Sequence, residues 1–509
     1  MTSVLSAFRA VVSRDPNKVA LRFDGQDVTY GSLDRATDAG AELLAAQGID
    51  RGDRVLLLLP NVPQFVVVLL AALKRGAVAV PLNPLLRGGE VAGAAADCAA
   101  KLVVTWPGAD ASALQTLRQA ATPVVLIGDP AGPFGPQGTP GESHCAVVEA
   151  RPSDLAVLLY TSATTGTAKG VMLSHESLGS AADAFRQVLN LTDADIQVGL
   201  VPLFHVLGMT VVLNASLLAG ATVVLQAGRF QPPAALDLIE SSGVTVVVAV
   251  TPMLVGLLAE CQGRAESPDL SKVRLIGGGG TSIPPDLGRR LVRTFGAKIG
   301  QGWGLTETAG AGTYAGNHDA PGPGDIGPPM PGVQLRVVDE LGHDVPDGTA
   351  GELWLRGPAV MTGYFGNKLA TAGSLTEDGW LRSGDIGRRH SDGGCSFEGR
   401  MKEIIKRSGY NVYPAEVEAA LMRHPQVRLA AVLGMPDAER GEEVAAIVVR
   451  SGATPLDLDD LRKWIKEQVA PYKYPRLLVE VDELPLAATG KVLKRAIDVQ
   501  ALFGSTPSH

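Results

Sequence analysis

The chain has 509 residues and a formal net charge of −8, with 46% apolar and 19% charged residues. This length exceeds the range in which a single hydrophobic core keeps growing, so a globular protein of at least two domains is expected. The negative charge argues against a nucleic-acid-binding surface as the main function. Cys98, Cys145, Cys261 and Cys395 lie far apart without a C-x-x-C pair, which argues against a zinc site or a disulfide framework and fits a reducing cytoplasm.

Targeting and membrane signals are not found in the sequence. No cationic segment followed by an apolar core and a cleavage site opens the chain, so no signal peptide is expected. The most apolar stretch, 65–73, is too short to span a bilayer, and the last four residues match no lipidation or peroxisomal signal. We expect a soluble, cytoplasmic protein, and leave its oligomeric state open between monomer and homodimer.

Short apolar runs rich in Val and Leu alternate with longer amphipathic stretches through most of the first 400 residues. The predicted strands are 54–59, 77–81, 102–105, 123–127, 155–159, 171–173, 221–225, 244–250 and 273–277, and the predicted helices include 33–47 and 111–120. This alternation predicts mostly parallel sheets covered by helices on both faces. The Gly/Pro-rich segment 129–142 is interpreted as a loop.

The pattern changes from residue 333 onward. Strands at 334–338 and 351–356 predict a smaller, partly antiparallel unit, and a hairpin with its turn at 392–394 is expected to follow. Beyond residue 400 a second α/β region is predicted. Its elements are a helix at 414–423, strands at 427–434 and 443–449, a helix at 457–468 and a strand at 477–481.

The loop Tyr160–Gly170, with the sequence Tyr-Thr-Ser-Ala-Thr-Thr-Gly-Thr-Ala-Lys-Gly, separates two predicted strands. Its backbone N–H groups and hydroxyls suit a multiply charged anion, and Lys169 adds a cation. It is not a Walker loop, because two residues separate Gly166 from the lysine and no Ser or Thr follows that lysine. Taken alone, the loop fits a phosphate-binding loop and a mobile polar surface loop about equally.

Seven further motifs follow in chain order. They are Pro202-Leu203-Phe204-His205, Gln301-Gly302-Trp303-Gly304-Leu305-Thr306-Glu307, Gly351-Glu352-Leu353, Gly363-Tyr364, Gly379-Trp380-Leu381-Arg382-Ser383-Gly384-Asp385, Gly399-Arg400-Met401-Lys402-Glu403 and Thr489-Gly490-Lys491. In this order and spacing the sequence resembles the adenylate-forming, AMP-binding superfamily of acyl-CoA synthetases, adenylation domains and firefly-type luciferases. The resemblance runs from Thr29 to Lys491.

The resemblance implies an α/β fold with two domains. Residues 1–399 would form a large N-terminal adenylation domain of mostly parallel sheets with flanking helices and a β-subdomain. Residues 400–509 would form a small, mobile α+β lid with its hinge at Lys402. The implied activity is that of an acid–thiol ligase, which uses ATP with Mg²⁺ to form an acyl-adenylate and then transfers the acyl group to coenzyme A.

The resemblance also assigns residues to the nucleotide. Those implied for the β- and γ-phosphates are Thr161, Ser162, Thr164, Thr165, Gly166 and Lys169. Ala163 and Ala168 depart from the glycine and proline usual in the family, and an alanine at a position that needs positive φ costs about 1 kcal/mol. Those implied for the rest of ATP are Gly278, Gly279, Gly280, Gln301, Gly302, Trp303 (where tyrosine is more usual), Gly304, Thr306, Asp385, Arg400 and Lys491.

The implied catalytic residues are Lys491, His205, Thr306 and Glu307. Glu307 would be the Mg²⁺ ligand, since its carboxylate suits a hard cation, and Lys491 would lie between the substrate carboxylate and the α-phosphate. His205 would shield the acyl site and order the carboxylate. Without the motif string, Glu307 would be interpreted as a helix N-terminal acid, Asp385 as a turn residue, His205 as a core histidine and Lys491 as a solvated charge.

The lid would serve both half-reactions. Rotation about Lys402 would withdraw Lys491 and bring in the coenzyme A loop, for which Lys406, Ser408 and Gly409 are the implied contacts.

The acyl substrate is the least determined feature. The implied acyl pocket comprises Val206, Met209, Thr251 and Gly279, and the stretches 206–213 and 246–254 are almost wholly apolar. No Asp for an amine follows His205, and no Arg for a second carboxylate occurs before Arg229. A medium- or long-chain fatty acid is therefore favoured. Alternatives left open are an aryl acid of the cinnamate or benzoate type, loading of a carrier protein, and a non-catalytic nucleotide-binding relative.

Overall fold

The computed structural model describes residues 3–119, 122–127, 135, 148–161, 168–280, 283–318, 322, 324–408, 410–437, 439–487 and 492–504. The helices in these ranges are α1 Val4–Arg14, α2 Tyr30–Ala46, α3 Pro63–Lys74, α4 Gly88–Asp97, α5 Ala111–Gln119, α6 His175–Val188, α7 Ala215–Ala219, α8 Pro232–Ser242, α9 Thr251–Gly263, α10 Pro285–Phe295, α11 Lys368–Ser374, α12 Pro414–Leu421, α13 Leu458–Gln468 and α14 Val499–Phe503. A π-helix spans Leu207–Asn214, and 3₁₀ turns span Thr306–Thr308, Met401–Glu403 and Lys494–Ala496.

The strands form four sheets. They are β1 Val19–Phe23, β2 Gln26–Thr29, β3 Arg54–Leu58, β4 Val78–Pro81, β5 Leu102–Thr105, β6 Val124–Leu126, β7 Leu155–Thr161, β8 Lys169–Ser174, β9 Ile196–Gly199, β10 Thr222–Leu225, β11 Val246–Ala249, β12 Leu275–Gly279, β13 Lys298–Gly304, β14 Gly312–His318, β15 Gln334–Val338, β16 Gly351–Arg356, β17 Gly363–Tyr364, β18 Leu381–Arg389, β19 Cys395–Arg400, β20 Ile405–Arg407, β21 Tyr410–Val412, β22 Val427–Asp437, β23 Gly441–Arg450 and β24 Leu477–Val481.

Two large sheets dominate the N-terminal region, and both are mostly parallel, as predicted. The first has the order β17-β8-β7-β4-β3-β5-β6, and the second β14-β13-β12-β11-β9-β10-β1-β2. In the first sheet β8 and β17 are antiparallel additions, and in the second β2 and β14 are. Because the inner strands are covered on both faces by helices, they contain continuous apolar sequence rather than an alternating pattern.

Two smaller sheets complete the chain. The antiparallel sheet β15-β16-β18-β19 contains the predicted hairpin, with its turn between β18 and β19. The C-terminal sheet has the order β21-β20-β23-β22, and β24 pairs with β23 in parallel. The α/β fold class predicted from the sequence is therefore confirmed.

Element boundaries shift where capping or pairing overrides the apolar pattern. Helix α2 begins at Tyr30 rather than at the predicted residue 33, because the Thr29 hydroxyl accepts a hydrogen bond from the Ser32 N–H and caps the helix. Strand β12 runs through Gly279, beyond the predicted end at 277, because its glycines pair with β13. Ladder pairing therefore overrides the low intrinsic strand propensity of glycine.

Helix α3 contains the apolar stretch 65–73, every residue of which is buried. Its last residue, Lys74, is 1% exposed, and Nζ lies 2.7 Å from Asp34 Oδ1 and 2.6 Å from Asp38 Oδ1 on α2. Pairing with two carboxylates compensates for burying this ammonium group and fixes α3 against α2. Within the described ranges, no helix has the length and apolar character needed to cross a membrane.

Separate hydrophobic cores lie on the two sides of residue 400. One extends from Val4 to Leu381, and another from Ile405 to Leu478. The domain division at residue 400 stays a prediction. Cys145, and all of 129–142 except residue 135, lie outside the described residues.

Candidate functional site

The glycine-rich segments predicted to contact a nucleotide lie on neighbouring strands. In the parallel pair β12–β13, Gly278 is opposite Gln301 and Gly279 is opposite Gly302. Both strands end at the same edge of the sheet, where the chain turns at Gly280 with φ of +76°, a conformation that favours glycine. Carboxyl ends of parallel strands are a usual location for ligand sites. Motifs about 25 residues apart are thus placed side by side.

A buried carboxylate, Asp385, lies beside this edge. Its Oδ2 accepts a 2.9 Å hydrogen bond from Trp303 Nε1–H, and its Oδ1 lies 3.4 Å from Arg400 Nε. The Asp385 side chain is only 3% exposed, and Arg400 faces it across the β18–β19 ladder. An indole and a guanidinium therefore hold the carboxylate in one orientation, and a carboxylate can accept further hydrogen bonds from a ligand. The backbone N–H of Asp385 also donates to Ser383 Oγ, a local hydrogen bond of the kind expected if Asp385 is a turn residue.

The side chain of Gln301 is bonded within the protein at both ends of its amide. Its side chain is buried, Oε1 accepts from the Ile283 N–H at 2.5 Å, and Nε2–H donates to the Asp325 carbonyl at 2.5 Å. Both ends of the amide are thus bonded to backbone. The Gln301 side chain therefore joins Ile283 to Asp325, and the contact of Gln301 with the nucleotide stays a prediction.

Glu307 is connected to the phosphate loop through Tyr364. The Tyr364 hydroxyl donates to Glu307 Oε1 at 2.8 Å, and Lys169 Nζ lies 5.0 Å from the centre of the Tyr364 ring. Burial and the neighbouring Glu307 carboxylate both raise the pKa of Tyr364, so the phenol stays protonated and remains a donor. Thr306, which precedes Glu307, is half-buried in the same 3₁₀ turn. One aromatic ring thus links the predicted phosphate lysine to the predicted metal ligand.

The donor set at Glu307 fits Mg²⁺ held largely by a substrate. Among the described residues, no group of three or more His, Cys, Asp or Glu side chains could form a protein-only metal site. Mg²⁺ commonly binds through one or two carboxylates together with substrate phosphates and water. A single carboxylate linked through Tyr364 to Lys169 of the predicted phosphate loop matches that requirement.

The two ends of the phosphate loop are fixed in an antiparallel pair. Thr161 on β7 is opposite Lys169 on β8, and the Thr161 hydroxyl donates to the Lys169 carbonyl at 3.4 Å. Six predicted ligand or catalytic residues lie outside the described residues: Ser162, Thr164, Thr165, Gly166, Gly409 and Lys491. Ala163 lies there too, so these assignments stay predictions.

The predicted acyl pocket is built around the π-helix. Val206 and Met209 are buried, as is Gly279 at the end of β12, and Thr251 begins α9. The nearest atom to a side chain added at Gly279 would be Leu207 Cδ1, at 3.1 Å. Leu207, which belongs to the candidate pocket lining 206–213, is therefore the side chain that covers Gly279. π-Helical turns are rare and frequently occur at functional sites.

His205 precedes the π-helix and is half-buried. Its Nδ1 accepts from the Leu207 N–H at 3.3 Å, and its carbonyl accepts from the Met209 N–H at 2.9 Å. These two hydrogen bonds fix the orientation of the imidazole ring, with Nδ1 directed toward the backbone. This geometry suits positioning of a carboxylate rather than proton removal.

The predicted coenzyme A loop is the hairpin turn between β20 and β21. Lys406 and Ser408 are exposed, and Ser408 has φ of +49° with its N–H bonded to the Arg440 carbonyl at 2.8 Å. Behind the turn, buried Arg407 donates to Glu443 Oε2 at 3.1 Å. The predicted hinge residue, Lys402, is exposed within the 3₁₀ turn Met401–Glu403.

The contacts of two side chains beside the predicted site residues were not predicted, although both residues lie in segments that the sequence analysis names. Tyr364 stands in a quoted motif, but its contact with Glu307 spans 57 residues. Leu207 immediately follows the predicted pocket residue Val206. Only the structure assigns them their neighbours.

Comparison with known proteins adds a family and relatives. The family model described as AMP-binding enzyme matches residues 8–365, and the model described as AMP-binding enzyme C-terminal domain matches residues 416–491. The chain is 35% identical over 492 residues to the indoleacetate–CoA ligase of Aromatoleum aromaticum, covering 94% of each protein. It is 35% identical over 494 residues to the feruloyl-CoA synthase of an Amycolatopsis species, covering 96% of each.

A similar solved structure is that of the anthranilate CoA ligase AuaEII in complex with anthranoyl-AMP. It superposes with a TM-score of 0.87 at 26% sequence identity, covering 96% of this chain and 95% of that one. The similarity therefore extends over the whole of both chains rather than over one domain.

Proposed function

The chain belongs to the AMP-binding enzyme family of AMP-forming acid–thiol ligases, and from this premise we propose that it joins an aryl acid to coenzyme A. The observation that carries the ligase part of the proposal is a pair of contact networks. In one, Trp303 and Arg400 both contact the Asp385 carboxylate. In the other, Tyr364 contacts both Glu307 and Lys169. These groups are separated by up to about 230 residues in sequence, yet they supply donors and acceptors suited to each part of ATP.

In the proposed first half-reaction, a substrate carboxylate oxygen attacks the α-phosphorus of ATP and pyrophosphate leaves. Lys169 would bear the charge of the β- and γ-phosphates, and Thr306 would bond the α-phosphate. Asp385 would accept hydrogen bonds from the ribose hydroxyls. Mg²⁺, held by Glu307, would neutralise phosphate charge when bound. No general base is needed, because the carboxylate is already the nucleophile.

In the proposed second half-reaction, the coenzyme A thiol loses its proton and its sulfur attacks the acyl carbonyl, and AMP leaves. The exposed turn with Lys406 and Ser408 would guide the pantetheine arm. Both steps need access to the same carbonyl, so one lid must take two orientations.

The aryl acid replaces the fatty acid that the sequence favoured. The relatives reported above are named for indoleacetate and ferulate, and the structural neighbour contains anthranoyl-AMP. The apolar lining that suggested an alkyl chain serves an aromatic ring equally well.

The proposal is tested by pyrophosphate release over matched acids, with and without coenzyme A. The panel contains benzoate, cinnamate, an arylacetate, a short aliphatic acid, and medium- and long-chain fatty acids. We expect the highest kcat/KM for an aryl acid, with thioester formed only when coenzyme A is present. Higher kcat/KM for a fatty acid than for every aryl acid would contradict the aryl assignment, and pyrophosphate release with none of the acids would contradict the ligase assignment.

Replacing Trp303 with phenylalanine tests the contact with Asp385. The variant keeps an aromatic face for adenine but removes the indole N–H that orients the carboxylate. A hydrogen bond to a charged group contributes about 1.5–3 kcal/mol, so kcat/KM for ATP should fall about tenfold or more. The measurement compares kcat/KM for ATP with kcat/KM for 2′,3′-dideoxy-ATP. The analogue lacks the two hydroxyls that would donate hydrogen bonds to Asp385.

We expect the phenylalanine variant to lose activity with ATP and little with the dideoxy analogue. Trp303→Ala is the control, because it removes the aromatic face and should lower kcat/KM for both nucleotides. Equal losses for the two nucleotides in Trp303→Phe would show that Trp303 does not act through Asp385.

A further inference from the structure

Tyr314 lies across the glycine-rich part of the nucleotide-site sheet. It is on β14, opposite Gly302 on β13, and its ring occupies the space that side chains on β13 would fill. A Cβ added to Gly300 would lie 1.7 Å from the Tyr314 hydroxyl oxygen, and one added to Gly302 would lie 3.8 Å from Tyr314 Cδ2. Glycine at 300 is therefore required for this close approach.

The hydroxyl of Tyr314 is buried and has no hydrogen-bond partner among the described residues. The residue is 6% exposed, and in the part of the chain that the structure describes the hydroxyl has no hydrogen-bond partner. Leaving a buried polar group unpaired is unfavourable, so each instance in a folded protein calls for an explanation. A phenylalanine would fill the same space without that penalty.

The hydroxyl is on the same face of the sheet as the predicted acyl pocket. Directly opposite residues of neighbouring strands point their side chains to the same face. Gly279 is opposite Gly302, and Gly302 is opposite Tyr314. Leu207 packs on Gly279 and the Tyr314 ring packs on Gly302, so Leu207 and Tyr314 lie on the same face of the sheet.

The hydroxyl also lies deeper than the reacting edge. Gly300 is two residues before Gly302 along β13, and two residues of a parallel strand span about 6.6 Å. An acid with its carboxylate at the carboxyl edge of the strands, near His205, would direct its far end toward this hydroxyl. An alkyl chain there would leave the phenol unpaired, whereas a polar ring substituent would pair with it.

We propose that Tyr314 is a specificity-determining residue whose hydroxyl bonds a polar substituent on the ring of the aryl acid, at the end remote from the carboxylate. The inference rests on the proposed function and narrows it to acids such as hydroxylated aryl acids. Tyr314 acts in recognition of the ring, and no bond is made or broken at its oxygen.

The test measures kcat/KM for cinnamate and 4-hydroxycinnamate with the wild-type enzyme and Tyr314→Phe. The wild type should prefer the hydroxylated acid by about tenfold, the factor that corresponds to one hydrogen bond of about 1.4 kcal/mol. Tyr314→Phe should lose this preference, mainly through a higher KM for the hydroxylated acid. Its melting temperature should be equal or higher, because the variant removes a buried unpaired hydroxyl.

Thr313→Val is the matched control, since Thr313 Oγ1 is another buried hydroxyl without a partner in the described ranges and faces the opposite side of β14. The control should keep the wild-type ratio between the two acids. The inference is overturned by a wild type without the preference, by an unchanged ratio in Tyr314→Phe, or by equal changes in both variants. A wild type inactive on every aryl acid would overturn the proposed function as well.

Discussion

Replacing Lys491 with alanine is expected to reduce acyl-adenylate formation by about a hundred- to a thousandfold, the loss typical of removing one preorganised electrostatic contact to a transition state. The first half-reaction builds negative charge between the substrate carboxylate and the α-phosphate, and Lys491 is the cation proposed to lie there. Thioester formation from supplied acyl-adenylate and coenzyme A should stay near the wild-type rate, because the lid withdraws this lysine before the second step.

Three residues after Lys491, Lys494 anchors the chain through two ion pairs. Lys494 Nζ lies 2.9 Å from Glu403 Oε2 and 2.8 Å from Glu418 Oε1. Burial lowers the pKa of Lys494, but the two carboxylates outweigh it and leave the pKa raised. Lys494 therefore stays charged at neutral pH and ties this segment to the turn that contains the proposed hinge.

The Lys491 experiment uses two assays and one control. Pyrophosphate exchange reports adenylation, and thioester formation from synthetic acyl-adenylate reports the second step. Arg495→Gln removes an exposed cation four residues after Lys491 and should leave both rates within about twofold of wild type, because no contact with substrate is proposed for Arg495. A Lys491→Ala variant that lost both half-reactions equally would contradict a lysine used in only one lid orientation.

Much of the fold was predictable because the sequence pattern and the burial agree. The strands of the two large sheets are short apolar runs, and most are found within a few residues of their predicted positions. The pattern failed where the local signal was weak or was overridden. The glycines of β12 do not look like a strand, but their partners on β13 make them one. The run 207–213 could not reveal a π-helix, because periodicity in seven residues is ambiguous.

The candidate site was predictable as a set of residues but not as a network. Motif order identified Trp303, Asp385 and Arg400, yet the hydrogen bond from Trp303 to Asp385 joins residues 82 positions apart. Sequence also assigned Gln301 to the nucleotide, but only the structure shows that its side-chain amide bonds the Ile283 N–H and the Asp325 carbonyl. A motif specifies which residue types occur, and only the fold determines which partner each side chain finds.

Replacing Lys402 with proline is expected to separate the two half-reactions at the proposed hinge. The 3₁₀ turn Met401–Glu403 lies between two anchors, the Arg400–Asp385 pair on one side and the Glu403–Lys494 pair on the other. A lid that rotates here must change backbone dihedrals between these anchors. Proline fixes φ near −65°, a value typical of a 3₁₀ turn, and therefore penalises other conformations.

Adenylation needs one lid orientation, whereas complete turnover needs two. Pyrophosphate exchange by Lys402→Pro should therefore stay within about threefold of wild type, while coenzyme A-dependent turnover should fall about a hundredfold, which corresponds to a barrier higher by about 2.7 kcal/mol. Lys402→Ala is the control and should be much milder, because the exposed side chain is not proposed to touch substrate. If proline and alanine reduced both half-reactions alike, Lys402 would be a ligand or structural residue, and the rotation would have to occur elsewhere in the chain.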